Sequence, residues 1–515
     1  MILIKCFILC TYLYSLLFES LKALPPEEPY SLPHLLQEMN WEDNQEFRLG
    51  FENLIHSIHH YQKLKDPCTW ERTPQSLPCL LPYLMEKKGT ALKAISLKKQ
   101  SLKNIPLDLF HQYTVEENLT LTKKYTLSFN AYTKNVSLFL KKPCENIHPL
   151  LALQIHGESF FPKIAAHDLN TKIYQNLDKC IPSDHAYYER FHQRYGLTQI
   201  ALSSPGSTLI GIQSLEKSLL SSKPKEQFRS LYWLGKLTNN PKYWESLGIL
   251  HPLSYHWVLA SEEMKVPLTQ WLPEKTDYRQ RGLSEKDNLS LWLVELLISK
   301  NSYKSSQEVL KMIYSSLPME DKSLYLHLSK LSHSLNSPRL SILFLNRYLR
   351  NHHKIGKDSL HLLFPVAHKT ALESFDSLDI PFTLGLMRQE SAFDSEITSP
   401  AKAIGLMQVL PKTAKTLWPH IKDEVTTLKN PFMNIALGTA YLKQTSDFYN
   451  HSLPLVLSSY NAGPHKVRKW VSRWPHLKDE LLFSDMIPYF ETRHYVSTVL
   501  RNAHWYQTII DGYSP

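Results

Sequence analysis

Glycine is scarce in this sequence, at 15 of 515 residues. Loops that cradle nucleotide phosphates need glycine at fixed spacing. The scarcity therefore disfavours dinucleotide-binding and other Gly-loop architectures and suits a helical protein. Charged residues are few as well, 21% against 43% hydrophobic, which marks a globular rather than a disordered chain. The formal net charge of +10 invites a polyanionic partner, whether nucleic acid, anionic lipid or an acidic polymer. No dense Lys/Arg run and no basic face singles out nucleic acid, and a solvated basic surface explains the same number. Zinc-like cysteine spacing is missing too. The cluster "HSIHH" (56–60) has no carboxylate or cysteine ligand pattern beside it, so no metal site and no cofactor is expected.

Long apolar runs are confined to the N-terminus. "MILIKCFILCTYLYSLLFESLKALPPEEP" places Lys5 ahead of an apolar run from Cys6 to Phe18, followed by a Pro-rich stretch. Residues 1–23 have the shape of a secretory signal, with "LKA" ending at Ala23 as the cleavage point, and the run is short for a membrane span. Leu9 before Cys10 disfavours lipoprotein processing; an uncleaved anchor is the other reading. Beyond the signal stand Cys68, Cys79, Cys144 and Cys180, which allow three pairings in an oxidising compartment.

The mature chain divides into three parts. Residues 24–150 are of mixed composition and open fold, with a β hairpin as their candidate element: 119–142 alternates apolar and polar residues around a "TKN" turn. Residues 151–365 have helical periodicity. "SSQEVLKMIYSSL" opens with a capping box from Ser305 to Glu308, and "SPRLSILFLNRYLR" has Ser337 as N-cap and Pro338 at the first helical position. Successive helices with short polar joints resemble stacked helical hairpins, a superhelical scaffold without a strict repeat. Residues 375–515 form a third, mostly α domain. "DIPFTLGLMRQES" gives a helix ending near Glu390, and "NPFMNIALGTAYLKQTSDFY" opens on Asn430 and Pro431. "LPLVLSSYNAGPHKVRKWV" gives two helices interrupted at "NAGP", and "FSDMIPYFETRHYVSTVLRNAHWYQTI" reads as one long closing helix.

Three stretches in order, "ESAFDSEITSPAKAIGLMQVLPKTA", "SYNAGPHKV" and "IPYFETRHYV", resemble the catalytic domain of the soluble lytic transglycosylases. The resemblance covers roughly the last 140 residues. It implies a lysozyme-like α (α+β) fold nearest to goose-type lysozyme, behind a helical scaffold, and cleavage of peptidoglycan glycan strands in the periplasm. Membrane contact would be peripheral or nil, with wall-synthesis or division proteins as further partners.

The resemblance also assigns the site. Glu390 matches the catalytic Glu; a glycosidic oxygen leaves only when protonated, so the carboxyl must stay neutral near pH 7. Ser391 supports it and is counted among the substrate-binding residues, and Ser399 bonds the sugar N-acetyl group or the Glu, unless it only caps the turn before Pro400. Gly405 allows positive φ or close approach of backbone and ligand, while Met407 and Gln408 line the glycan groove. Tyr460 and Asn461 match a Tyr-Asn pair that reaches the carboxyl or the sugar, and Glu491 closes the groove. Glu491 and Arg493, two apart on a helix, do not share a face. Trp418, Trp470, Trp474 and Tyr489 could stack on sugars but read better as packing residues.

Glycosidases usually use two carboxylates, yet Asp394 and Glu396 have no catalytic role in the family. With one Glu the implied reaction is internal: protonation of the oxygen between N-acetylmuramic acid and N-acetylglucosamine, then closure of a 1,6-anhydro ring. Two alternatives stand beside it, a lysozyme-like hydrolase and a non-catalytic wall-binding scaffold.

Overall fold

The computed structural model describes residues 136–148, 150–151, 166–222, 227–276, 307, 309–311, 313–314, 324–350, 354–473 and 479–512. Two compact units divide the chain, Met1–Gln100 with Leu289–Pro318, and Ser101–Asn288 with Met319–Pro515. Of the first, six residues between 307 and 314 are described, all helical. The signal segment, "HSIHH", Cys68, Cys79, Trp474 and residues 119–135 lie outside the described residues. Where 119–142 is described, 136–139 are helical instead of strand-like.

The second unit begins as a series of short helices: α1 (Ala166–Leu177), α2 (Tyr188–Ala201), α3 (Pro205–Ser218), α4 (Gln227–Thr238), α5 (Pro241–Leu250) and α6 (Tyr255–Met264). After a gap come α7 (Leu324–Ser334) and α8 (Pro338–Arg350). Local chemistry sets their starts. Ser204 caps α3 in a reciprocal box with Ser207, Asn240 accepts from the Lys242 amide ahead of α5, and Pro205, Pro241 and Pro338 occupy first-turn positions where their missing N–H costs nothing. Neighbours pair as hairpins, α2 on α3, α4 on α5 and α7 on α8. The core of this array holds Leu215, Trp233, Leu234, Leu247 and Trp257. Cys144 and Cys180 form a disulfide, 36 residues apart in sequence.

The C-terminal helices follow: α9 (Leu360–Leu363), α10 (Lys369–Glu373), α11 (Ile380–Glu390), α12 (Pro411–Leu417), α13 (Glu424–Lys429), α14 (Pro431–Phe448), α15 (Leu453–Ala462), α16 (Pro464–Arg473), α17 (Glu480–Met486) and α18 (Phe490–Ile510). Asn430 caps α14 as its sequence predicts, accepting from the Met433 amide at 3.1 Å. The expected single closing helix is two. Pro488 has no N–H and restricts Ile487 to extended backbone (ψ 123°), so α17 stops there and α18 starts afresh. Among the described residues β structure is limited to isolated bridges, Thr398 with Ile404 and Ile404 with Val409.

One buried knot ties the early helices to α17. The Asp485 carboxylate accepts from Arg229 Nε (3.0 Å) and Trp233 Nε1 (2.8 Å) on α4, and its Oδ2 lies 2.8 Å from His256 Nε2 on α6. Arg194 on α2 donates to the backbone carbonyls of Asp485 (2.9 Å) and Met486 (3.2 Å). Three donor groups outweigh burial and hold the carboxyl well below its ordinary range. The knot ends four residues before α18, the helix that closes the candidate site.

Candidate active site

Glu390 is the last residue of α11. Asp379 starts that helix by accepting from the Phe382 amide at 2.9 Å, with Pro381 in the first turn. Leu384, Leu386 and Met387 are fully buried. α11 lies tightly along α18: a Cβ on Gly385 would stand 2.7 Å from the Ala503 backbone nitrogen, so only glycine permits this approach. The α18 end of the contact is packed by Trp505 and Tyr506 against Phe364, and Tyr506 donates to the Pro365 carbonyl at 3.0 Å.

That close packing brings Tyr495 of α18 to Glu390. Its hydroxyl donates to Glu390 Oε1 at 2.5 Å. Burial pushes the Glu390 carboxyl up from 4.5 to about 7, against the opposing effect of the Tyr495 hydrogen bond. A helix C-terminus, with its outward carbonyls, disfavours an anion in the same direction. Burial and the Glu390 charge raise both the Tyr495 and Tyr460 hydroxyls well above their ordinary value, so both stay neutral donors.

The "GLMQ" turn is tied to the end of α11, where the Ser391 hydroxyl donates to the Leu406 carbonyl. Gly405 has φ +79°, the positive φ expected of it, and a Cβ there would also overlap the Leu428 carbonyl. Asn434, fully buried on α14, clamps the turn: its amide donates to the carbonyls of Ile404 (2.9 Å) and Leu428 (2.7 Å), and its Oδ1 accepts from the Met407 amide (2.8 Å). Tyr460 of α15 donates to the Met407 carbonyl at 2.7 Å.

Two expected groove residues are not in a groove. Ser391 is 3% exposed, and its hydroxyl donates toward the carbonyls of Leu406 (2.8 Å) and Met387 (3.2 Å) while accepting from the Phe393 amide (3.1 Å). It pins the end of α11 to the turn. Met407 is fully buried against Gly438, where there is no room for a Cβ, so its side chain is core and its backbone carries the contacts. The remaining residues are partly or fully exposed. Ser399 accepts from the Ala403 amide at 3.0 Å, the turn cap already weighed for it. Gln408, at φ +49°, gives its amide to the carbonyls of Gly405 (2.9 Å) and Ile397 (3.3 Å). Asn461 accepts from the Thr492 hydroxyl at 2.7 Å, joining α15 to α18. Glu491 is exposed, whereas Arg493 is buried and donates to the Ile487 carbonyl at 2.6 Å, so the two do face apart. Trp470 is buried beside Tyr489, and Trp418 is 42% exposed.

The second-carboxylate question has a geometric answer among the described residues. Asp394 pairs with Arg339 (3.5 Å) and Glu396 with Lys429 (3.0 Å), and no carboxylate contributes to the raised Glu390 pKa. No group of three or more His, Cys, Asp or Glu among the described residues could hold a metal ion. Sequence reasoning missed Tyr495 and Asn434. Each sits inside a helix where its polar tip reads as incidental to an apolar face; a tyrosine within the "ETRHYV" stretch was the available signal for the first.

Residues 371–483 match the Transglycosylase SLT domain family. A putative soluble lytic murein transglycosylase of Haemophilus influenzae is 36% identical over 169 residues, 31% of this chain and 28% of that protein. The soluble lytic murein transglycosylase of Escherichia coli K12 is 32% identical over 157 residues, 29% of this chain and 24% of that protein. The matched segment thus spans about a quarter of these relatives' length. Among solved structures, the 70 kDa soluble lytic transglycosylase Slt70 of Escherichia coli superposes with TM-score 0.51 at 19% identity, covering 82% of this chain and 70% of that one. An inactive glutamate-to-glutamine mutant of lytic transglycosylase Slt from Pseudomonas aeruginosa gives TM-score 0.50 at 19% identity, covering 97% and 91%. The fold is therefore a helical array followed by a lysozyme-like domain, and residues 371–483 are similar to the transglycosylase SLT domain family.

Proposed function

We propose that this chain is a peptidoglycan lytic transglycosylase that cleaves the bond between N-acetylmuramic acid and N-acetylglucosamine without water. The observation that carries the reading is the lone Glu390 carboxyl, partly buried, with a pKa of about 7 and held by one neutral tyrosine. Such a group is protonated often enough at neutral pH to act as an acid, and deprotonated easily enough to act next as a base.

The steps balance around one proton. Glu390 gives its proton to the glycosidic oxygen as the bond from muramic C1 breaks, and the muramic acetamido oxygen closes on C1. The Glu390 carboxylate then takes the proton of the C6 hydroxyl, whose oxygen attacks C1 and displaces the acetamido oxygen. A 1,6-anhydro ring results, and Glu390 ends protonated as it began. Tyr495 positions the carboxyl. Ser391, Asn434 and Tyr460 hold the 404–408 turn beside it, roles that replace direct sugar contact for Ser391 and Met407. Ser399, Gln408, Asn461 and Glu491 are the polar groups exposed enough to meet sugar. Trp418 offers an exposed ring for stacking.

The N-terminal segment supports export to the periplasm, and no helix among the described residues is long and apolar enough to cross a membrane. Wall-synthesis or division proteins remain the expected partners, as substrate-presenting machinery. Digestion of purified sacculi with mass spectrometry of the soluble fragments tests the reading. Muropeptides one water lighter than their reducing counterparts are expected, and are lost with Glu390→Gln. Reducing ends would make the protein a hydrolase, and release undiminished by Glu390→Gln would remove Glu390 from the chemistry.

A further inference from the structure

α18 carries Tyr495 on one face and lines a cavity with another. His494, Ser497, Thr498 and Arg501, at helical spacing, form one wall of a space of about 370 Å³. Residues 249–256 at the α5–α6 junction, Trp271 to Pro273, and Leu349, Lys354 and Ile355 complete it. The size suits a small organic molecule. None of its lining residues takes part in the chemistry proposed for Glu390.

The lining has a one-sided polarity. It includes Lys354, Arg501 and the histidines His251, His256 and His494, and no acidic residue. Among the described residues Arg501 is a cation without a counter-ion. It donates to the amide oxygen of Asn502, through Nε at 3.1 Å and Nη2 at 2.6 Å, and Arg388 Nη1 shares that oxygen at 3.3 Å. Among the described residues no carboxylate accepts from either guanidinium. Burial, and then the neighbouring Arg388 charge, lower the Arg501 pKa to about 9, as expected for two cations around one neutral acceptor.

Two further buried groups lack partners. Trp271 Nε1–H, a donor only, has none, and neither does Nδ1 of the fully buried His256. His256 Nε2 lies 2.8 Å from the Asp485 carboxylate and donates to it, which leaves Nδ1 as the ring atom without a partner among the described residues. Leaving buried polar groups bare is costly, so such a set marks a site built for something.

Together the walls ask for an anion, a hydrogen-bond acceptor, a polar partner for His256 and a small apolar body. A peptide end supplies all four: a carboxylate for Arg501 and Lys354, a C=O for Trp271, a backbone amide group for His256 Nδ1, and side chains against Leu250, Leu272 and Ile355. We propose that this cavity binds the free C-terminal carboxylate of a short peptide with small apolar side chains. The site is separate from the Glu390 pocket and stands whether or not the glycan chemistry holds. Its occupant would bear on the helix that holds the tyrosine partner of Glu390.

Titration calorimetry on the full chain tests it, with N-acetyl-alanyl-alanine as the probe in its L,L and D,D forms and the corresponding C-terminal amides as controls. Saturable binding of at least one free acid is expected, weakened at least tenfold in its amide. Arg501→Gln should weaken it at least tenfold, and Trp271→Phe, which keeps an aromatic ring but loses the donor, several-fold. Circular dichroism and melting of each variant establish that it is folded, and Trp271→Phe decides the matter if Arg501→Gln is not. Failure of both free acids to bind, equal affinity for acid and amide, or full affinity in the folded variants would overturn the proposal.

Discussion

Replacing Glu390 by Gln should abolish activity and, above neutral pH, make the protein more stable. The folded carboxyl titrates at about 7 against an ordinary 4.5, a difference of about 2.5 pH units. At about 1.4 kcal/mol per pH unit, ionising it in the fold costs about 3 kcal/mol more than ionising it in the unfolded chain. Its partial exposure makes that a ceiling. The sign follows from proton counting. Below pH 4.5 both states hold the proton and Gln changes little. Between 4.5 and 7 only the folded state holds it, so the stability of the wild type falls as pH rises. Above 7 the full cost is present, and a neutral isostere removes it. Thermal unfolding of both proteins from pH 4.5 to 8.5 should therefore show curves that meet at the acid end and separate in favour of Glu390→Gln at the alkaline end. Parallel curves across that range would mean an ordinary carboxyl and would refute the argument that burial keeps it protonated.

Three more outcomes rest on the same geometry. Tyr495→Phe removes a hydrogen bond that favours the ionised carboxyl, so the alkaline limb of the pH–rate profile should move up while kcat falls about tenfold, which initial rates on sacculi across pH will read. Gly405→Ala places a Cβ against the Leu428 carbonyl at positive φ; a loss of about 2 kcal/mol or more in denaturant midpoint and of most activity is expected. Asp485→Ala strands Arg229 and His256 in a buried site and should cost about 3–5 kcal/mol, read by unfolding monitored through Trp233 fluorescence, whereas an exposed ion pair such as Lys369–Glu373 should cost under about 1 kcal/mol.

Much of the fold was legible because helix starts are written locally. Asn430 caps where a short polar side chain precedes a proline, and α11, α14, α15 and α16 lie where periodicity and the "NAGP" break put them. The break at Pro488 was equally local, yet an apolar pattern continuing on both sides hid it. Glu390 could be found because its motif is contiguous. Tyr495 could not, because its meaning arises only when α11 lies along α18, 105 residues away in sequence. Ser391 and Met407 show the converse. Their neighbourhood in sequence is that of the catalytic residue, but which way each side chain turns depends on Leu406, Gly438 and Asn434, and all three draw them inward. The Asp485 knot was illegible for the same reason, since its partners come from three helices more than 200 residues upstream.

The central claim, one carboxyl and no water in the bond-breaking sequence, is tested most directly by digesting sacculi in water enriched in oxygen-18. An internal reaction leaves every newly formed muramic end one water lighter and free of the heavy isotope, and Glu390→Gln yields no such ends. Oxygen-18 at the muramic C1 would instead show that solvent attacks, and the single-glutamate account would be wrong.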